Sequence, residues 1–452
     1  MLGAMKFEVD KQTLKDLEIF GLNKADKTVF NLFNHTQCIG GRNRLYEILR
    51  NPLSDYEQIE ERKDAIAFFQ KHLPSGLDVD KDALDFSEYY LRHSGRVQRP
   101  PTRIAAIERK IIGKITSSND YYLVEKGVES LVNLLKGFYK FSQQLAEKLK
   151  IADCPALLLR NNDEILRLFE QLEFDRVKDS KKLSAYDTAR FDYLFRYTNR
   201  KDVLFILDMV YEYDAFLSVV KTAELYDLIY PEIVPETENV LDIEDLKHLF
   251  VDEAVGNDVH FDRSANLLFI SGPNMAGKST FLKALGVAVY LAHAGLPVPA
   301  KRMKLNVLSG LCTTINISDN LSSGYSHFYA EVMRIKDVAT RLKTNKNMLV
   351  LFDELFRGTN VKDAYDGTLA IVSAFAQIKT SFFVISSHIV EVTNELQGED
   401  NIKFSYFEIE QQNGHPVYTY KLKDGVTDVR LGMYIIRKEG VIELINEINK
   451  SI

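Results

Sequence analysis

At 452 residues the chain is too long for one ordinary hydrophobic core, so two or three domains are expected. With 46% hydrophobic and 27% charged residues it reads as a soluble globular protein, and no apolar run reaches the roughly 18 residues of a membrane span. A net charge of −7 excludes a uniformly basic nucleic-acid binder but leaves room for local cationic patches.

The chain opens on MLGAMKFEVDKQTLKDLEIF, where charge is scattered throughout and no secretory pattern is present. Residues 1–230 are predicted to be helical. Glycine and proline are sparse over long stretches, and Leu123, Val128, Leu131, Leu134, Leu135, Phe138, Phe141 and Leu145 recur at helical spacing. The segments RNNDEILRLFEQLEF and RKDVLFILDMVYEYDAFLSVVKTAELY read the same way. One break, RHSGRVQRPPTR at 92–103, sets a glycine before a double proline and carries Arg92, Arg96, Arg99 and Arg103. It reads either as a solvated loop between helices or as a phosphate-contacting loop.

A second break, YPEIVPETENV at 230–240, marks a change of texture. Beyond it, short apolar runs bounded by turns (NLLFISG, 266–272; NMLVLFDE, 347–354; SFFVISSH, 381–388) alternate with helical segments. Such a pattern predicts a sheet covered on both faces. The fold class is therefore mixed: an all-α domain over 1–235 followed by an α/β domain over 236–452. Cys38, Cys154 and Cys312 lie far apart and form neither a disulfide framework nor a zinc spacing, so a reducing cytoplasmic location is expected.

The stretch FISGPNMAGKSTFLKAL at 269–285 places Gly272, Gly277, Lys278 and Ser279 in the pattern G-x-x-x-x-G-K-[ST], between a predicted strand and a predicted helix. Glycines let such a loop aim backbone amides at phosphate oxygens, and the helix N-terminus adds partial positive charge. The loop Gly272, Pro273, Asn274, Met275, Ala276, Gly277, Lys278, Ser279 and Thr280 is assigned to ATP. Lys278 reaches the β- and γ-phosphates, and Ser279 ligates Mg²⁺. MLVLFDEL ends a buried strand on two carboxylates. Asp353 is expected to hold Mg²⁺ through its water shell, and Glu354 to deprotonate the attacking water. His388 ends a third strand, where it either hydrogen-bonds the γ-phosphate or is structural.

These residues resemble the MutS mismatch-repair family. GPNMAGKSTFLKAL, GLPVPAKRMKL, SDNLSSGYSHFYAEV, LVLFDELFRGTN and SSHIVEV occur in the family's order and near its spacing, and VGNDVHF at 255–261 resembles the lead-in to its ATPase domain. The match covers about 245–435. A second stretch, 31–67, looks like the start of the MutS core domain, with Gly40, Gly41, Arg42, Pro52 and Leu53 in place. Residues 70–230 match only in helical texture, like the family's core and lever helices. The resemblance implies an ABC-type P-loop ATPase that works as a homodimer. Ser326, with the backbone near Gly324, would approach the γ-phosphate bound by the other subunit.

Four departures stand out. Ala276 replaces a glycine that the family usually has before the lysine, and a methyl group is tolerable there if the backbone angle is ordinary. Phe356 stands where the family has glycine, and VKDA follows RGTN before YDG. The family's N-terminal mismatch reader, with its Phe-x-Glu wedge, is not matched. Phe86–Glu88 has that spelling, but its surroundings predict a helix. The leading expectation is a dimeric, ATP-driven switch on DNA without sequence specificity, related to mismatch repair or recombination. The alternative is a MutS-derived ATPase whose helical domain binds a protein partner and lacks mismatch-specific DNA binding.

Overall fold

The helical patterns of the first half become helices α1 (Lys11–Asp16), α2 (Val29–Phe33), α3 (Ile39–Arg50), α4 (Tyr56–His72), α5 (Lys81–Arg92), α6 (Asn119–Leu149), α7 (Ala156–Gln171), α8 (Ala185–Tyr193) and α9 (Arg200–Tyr226). They are taken from a computed structural model that describes residues 7–451 apart from 24, 74–76, 78–80, 94–101, 107, 109–110, 112–118, 151–153, 172–182, 317–326, 413–414 and 428–431. Phe30–Arg50 and Glu60–Leu225 make up one compact unit. Its centre is the apolar stripe read from the sequence. Val128, Leu131, Leu134, Leu135, Phe138, Phe141 and Leu145 of α6 are all buried, while Leu123 is half-buried. Phe69 of α4 meets Tyr213 of α9 edge to face, with ring centroids 5.2 Å apart. Burying each such side chain is worth about 1.5–3 kcal/mol.

The glycine pair that opens α3 has a packing reason. A Cβ on Gly41 would lie 2.0 Å from a carboxylate oxygen of Asp214, and one on Gly40 would lie 2.4 Å from the Tyr211 ring. This close approach lets Asp214 accept hydrogen bonds from the Gln37 amide at 2.9 Å, and from the Cys38 amide and thiol, both at 3.1 Å. Asp214 thus satisfies donors at the start of α3 from a different helix. Burial raises the carboxyl's pKa, and the hydrogen bonds oppose that rise.

The other compact unit comprises Met1–Val29, Asn51–Ile59 and Tyr226–Ile452. The seven-stranded sheet runs in the order β1-β7-β8-β9-β5-β10-β11, formed by β1 (Glu8–Val9), β5 (Leu267–Ser271), β7 (Gly310–Thr314), β8 (Met348–Asp353), β9 (Phe382–Ser387), β10 (Ile402–Gln412) and β11 (His415–Asp424). All its neighbours are parallel except the β10–β11 hairpin. Every residue of β5, β8 and β9 is buried, as continuous apolar runs predict for a sheet covered on both faces. Helices α10 (Lys278–His293), α11 (His327–Thr344) and α12 (Val361–Ala376) follow β5, β7 and β8. A smaller sheet, in the order β2-β6-β3-β4, contains β2 (Glu232–Val234), β3 (Leu241–Leu246), β4 (Asn257–Phe261) and β6 (Arg302–Asn306). Short helices α13 (Val392–Leu396), α14 (Gly432–Lys438) and α15 (Val441–Ser451) complete the chain. Among the described residues no helix is long and apolar enough to cross a membrane.

The compact units divide the chain differently from a single cut at 235, because residues 1–29 and 51–59 belong with the sheets. Long-range backbone pairing is the reason. Glu8 and Val9 pair with Gly310 and Leu311. Buried Asp16 accepts from the Thr313 hydroxyl at 2.8 Å and from the Ile315 and Asn316 amides at 3.0 and 3.2 Å. The Leu53 amide donates to the carbonyl of His293 at 2.7 Å. The Leu308 amide donates to His293 Nε2 at 3.3 Å, so Nδ1 carries the ring proton and donates to the Leu53 carbonyl at 2.8 Å. The same ring stacks on Phe7 at 4.2 Å.

Candidate functional site

Parallel strands bring their carboxyl ends to one edge of the large sheet, and the chain reverses there into loops. After β5 the backbone takes left-handed angles at Gly272 (φ 135°), Met275 (φ 68°) and Gly277 (φ 110°), and α10 begins at Lys278. Glycine accepts such angles without cost, whereas the left-handed region at Met275 costs about 1–2 kcal/mol. Ala276 is buried and is not one of the residues with positive φ, so its methyl group sits on ordinary backbone.

Lys278 is buried, with its side chain only 4% exposed. Its ammonium donates to the Gly272 carbonyl at 2.6 Å and lies 3.3 Å from Glu354. Burial lowers the lysine's pKa, while Glu354 and Asp353 pull it back up. Ser279 donates to one oxygen of Asp353, and Ser386 donates to the other at 2.5 Å. Glu354 follows β8 with a left-handed φ of 59°, and its amide donates to the Ser386 carbonyl at 3.1 Å. The turn sends the two neighbouring carboxylates to different partners: Asp353 to the hydroxyls, and Glu354 to Lys278 and Arg357. His388 follows β9, half-exposed, with Nδ1 3.8 Å from Glu354.

Arg357 was not singled out from the sequence. Its Nε donates to Glu354 at 2.7 Å, and its guanidinium lies 3.7 Å from Asp353. An arginine three and four residues beyond a carboxylate pair was the available signal. Phe356 keeps a left-handed φ of 61° despite its bulk, and its buried ring lies 5.5 Å from that of Phe328. Gly367 makes room for it, since a Cβ there would come within 2.9 Å of the Phe356 ring.

A second feature missed by the sequence reading is a cavity of about 340 Å³ beside the loop, lined among others by Val255, Asn257, Gly277, Thr280, Phe407 and Tyr420. Tyr420 comes from β11, and a Cβ on Gly277 would be 3.3 Å from its ring. Asn257 fixes this wall: its side-chain amide donates to the Tyr420 carbonyl at 3.0 Å and its oxygen accepts from the Leu422 amide at 2.7 Å. Asn257 and Tyr420 are 163 residues apart in sequence, so no local pattern announces the cavity.

The donor set suits a hard divalent cation. Ser279 and Asp353 offer oxygen ligands side by side. Among the described residues no group of three or more His, Cys, Asp or Glu is placed to hold a metal alone, so such an ion would draw its other ligands from phosphate and water.

Other predicted residues fall elsewhere. Ser326 and Gly324 lie outside the described residues, as do Arg96 and Arg99. Exposed Arg92 lies 3.3 Å from Glu88, and the Arg103 guanidinium sits 5.8 Å from the Tyr186 ring centroid. Phe86 and Glu88 lie within α5, where Phe86 neighbours Tyr89 at 6.2 Å and Glu88 pairs with Arg92 one turn on.

Compared with known proteins, residues 12–332 match the model of MutS domain III and residues 268–451 that of MutS domain V. The chain is 23% identical to the DNA mismatch repair protein MutS of Petrotoga mobilis, over 97% of this chain and 63% of that protein. Against the DNA mismatch repair protein MutS of a Listeria monocytogenes strain, identity is 27% over 86% of this chain and 44% of the relative. For that of Halalkalibacterium halodurans it is 25% over 82% and 41%. The chain thus spans about half the length of these relatives.

Proposed function

Because the chain belongs to the MutS family, we propose that its sheet unit binds and hydrolyses ATP with Mg²⁺, and that two copies pair through this unit as a nucleotide-driven switch on DNA. One observation carries the reading: Lys278, Ser279, Asp353 and Glu354 converge where a glycine-bracketed loop opens a helix beside the ends of parallel strands.

Each residue has a task that its surroundings allow. The amides at the start of α10 and the ammonium of Lys278 neutralise the β- and γ-phosphates. Lys278 meets only a carbonyl and a carboxylate in the described structure, and phosphate oxygens are natural replacements for both. Ser279 and Asp353, whose oxygens lie side by side, would hold Mg²⁺. When bound, the ion would supply Lewis-acid neutralisation of charge on the phosphate oxygens. Glu354 takes the proton of the attacking water, held by Arg357 once Lys278 has turned to phosphate. His388, exposed at the rim, hydrogen-bonds the γ-phosphate. The cavity walled by Tyr420 and Phe407 has the size and flat aromatic face that a nucleobase requires. Ser326 of a second copy completes the site in trans. DNA is held through phosphate contacts that carry no base information, with the arginines of 92–103 as the first candidates.

The direct test is binding of a fluorescent ATP analogue. Lys278→Ala should raise its dissociation constant at least tenfold while leaving the thermal melt of the protein intact. Unchanged affinity would remove the loop from the reading.

A further inference from the structure

A groove of about 510 Å³ lies on the sheet unit away from the nucleotide loop, lined by Glu236, Thr237, Asn239, Arg263, Lys346, Asn347, Lys379 and Thr380. Its position follows from the topology. Lys346 and Asn347 immediately precede β8, Lys379 and Thr380 lie just before β9, and Arg263 lies in the turn leading to β5. The loop that opens α10 leaves the other end of β5, at the edge where β8 and β9 also finish. Strands of five or six residues, at about 3.3 Å each, separate the groove from that loop by roughly 17–20 Å.

The lining carries three cations against a single carboxylate, in a chain whose net charge is −7. Lys346 and Lys379 make no ion pair among the described residues, whereas Lys304, nearby on β6, is held by Glu232 and Glu238. Arg263 is anchored by one hydrogen bond, to the Thr237 carbonyl at 2.6 Å, which leaves further donors of its guanidinium for a ligand. The floor is fixed: Asn347 donates to the Val307 carbonyl at 2.7 Å, and Asn239 donates to the Lys379 carbonyl at 3.4 Å. A pre-ordered concave surface with solvated, unpaired cations suits an anionic chain, because charge complementarity raises both encounter rate and specificity.

No aromatic side chain lines the groove. Single-stranded nucleic acid is usually gripped by stacking of its bases on aromatic rings, and this lining offers none. An extended polypeptide fits, with carboxylates for the cations and backbone groups for the Asn and Thr side chains.

We propose that this groove is a docking site for an acidic, extended segment of a partner protein, separate from the nucleotide site. The probe is fluorescein-labelled octaglutamate, with octaserine and a 30-base-pair homoduplex as comparisons, measured by anisotropy on the full chain at low and moderate salt. Octaglutamate should bind at least tenfold more tightly than octaserine and weaken as salt rises. Lys346→Glu with Lys379→Glu should reduce its affinity by tenfold or more and leave ATP-analogue binding unchanged. Lys346→Gln with Lys379→Gln, which removes charge without adding repulsion, should reduce it about threefold and serves if the reversal variant unfolds. Equal binding of the two peptides, or unchanged octaglutamate affinity in a folded variant, overturns the proposal. Loss of homoduplex binding with octaglutamate affinity unchanged overturns it as well and assigns the surface to nucleic acid.

Discussion

His293 should make the sheet unit acid-sensitive. Its ring is enclosed at the end of α10, stacked on Phe7 and bonded to Leu53 and Leu308. Burial pushes its pKa from an ordinary 6.5 down to about 4, and the bond to the Leu53 carbonyl only partly resists. Above pH 6.5 the imidazole is neutral in both folded and unfolded chains. Below that value the unfolded chain takes up a proton that the folded ring refuses until about pH 4. Stability must therefore fall as pH drops through this window. The gap between 6.5 and about 4, at 1.36 kcal/mol per pH unit, corresponds to about 3 kcal/mol. The assay is urea unfolding at steps from pH 7 to 4.5, followed by far-UV circular dichroism, for the parent and for His293→Gln. Glutamine can still donate to the Leu53 carbonyl and accept from the Leu308 amide, but it does not titrate. The variant should begin less stable at pH 7, through lost packing on Phe7, and the difference should shrink by about 1.4 kcal/mol per unit below pH 6. Parallel stability curves for the two proteins across this range would refute the reasoning.

Two further predictions concern the proposed nucleotide site. Tyr420→Ala should weaken ATP binding about tenfold, the worth of one aromatic face against a base, with kcat little changed, while Tyr420→Phe should bind like the parent; steady-state kinetics over a range of ATP concentrations checks both. Ser326→Ala and Lys278→Ala proteins should each hydrolyse ATP poorly alone, yet a mixture that exchanges subunits should partly recover activity, because one composite site then has both groups intact; no recovery despite demonstrated exchange would argue against a site shared between copies.

How much of this was legible in the sequence depended on the range of the interactions. The β5–loop–α10 stretch is readable because its apolar strand, glycines and helix are all local, and the helix begins at Lys278, directly after the loop. The buried stripe of α6 was readable for the same reason. Asp353 and Glu354 could be placed at a strand end, but their division of partners depends on a left-handed Glu354. Nothing in the local pattern requires that angle. The N-terminal segment carries no strand signal in the sequence, because two residues of strand leave no periodicity. Its place is set by Asp16 reaching Thr313, 297 residues away in sequence. Phe356 broke the family pattern, and only the structure shows that Gly367 accommodates its ring.

The proposed function turns on Glu354 acting as the base for ATP hydrolysis at this site. The most direct measurement is steady-state phosphate release by the Glu354→Gln protein, paired with its affinity for a fluorescent ATP analogue. Binding should stay within a few-fold of the parent and hydrolysis should slow by about 100-fold or more, as expected for loss of a general base. Hydrolysis at the parent rate with binding intact would contradict that role.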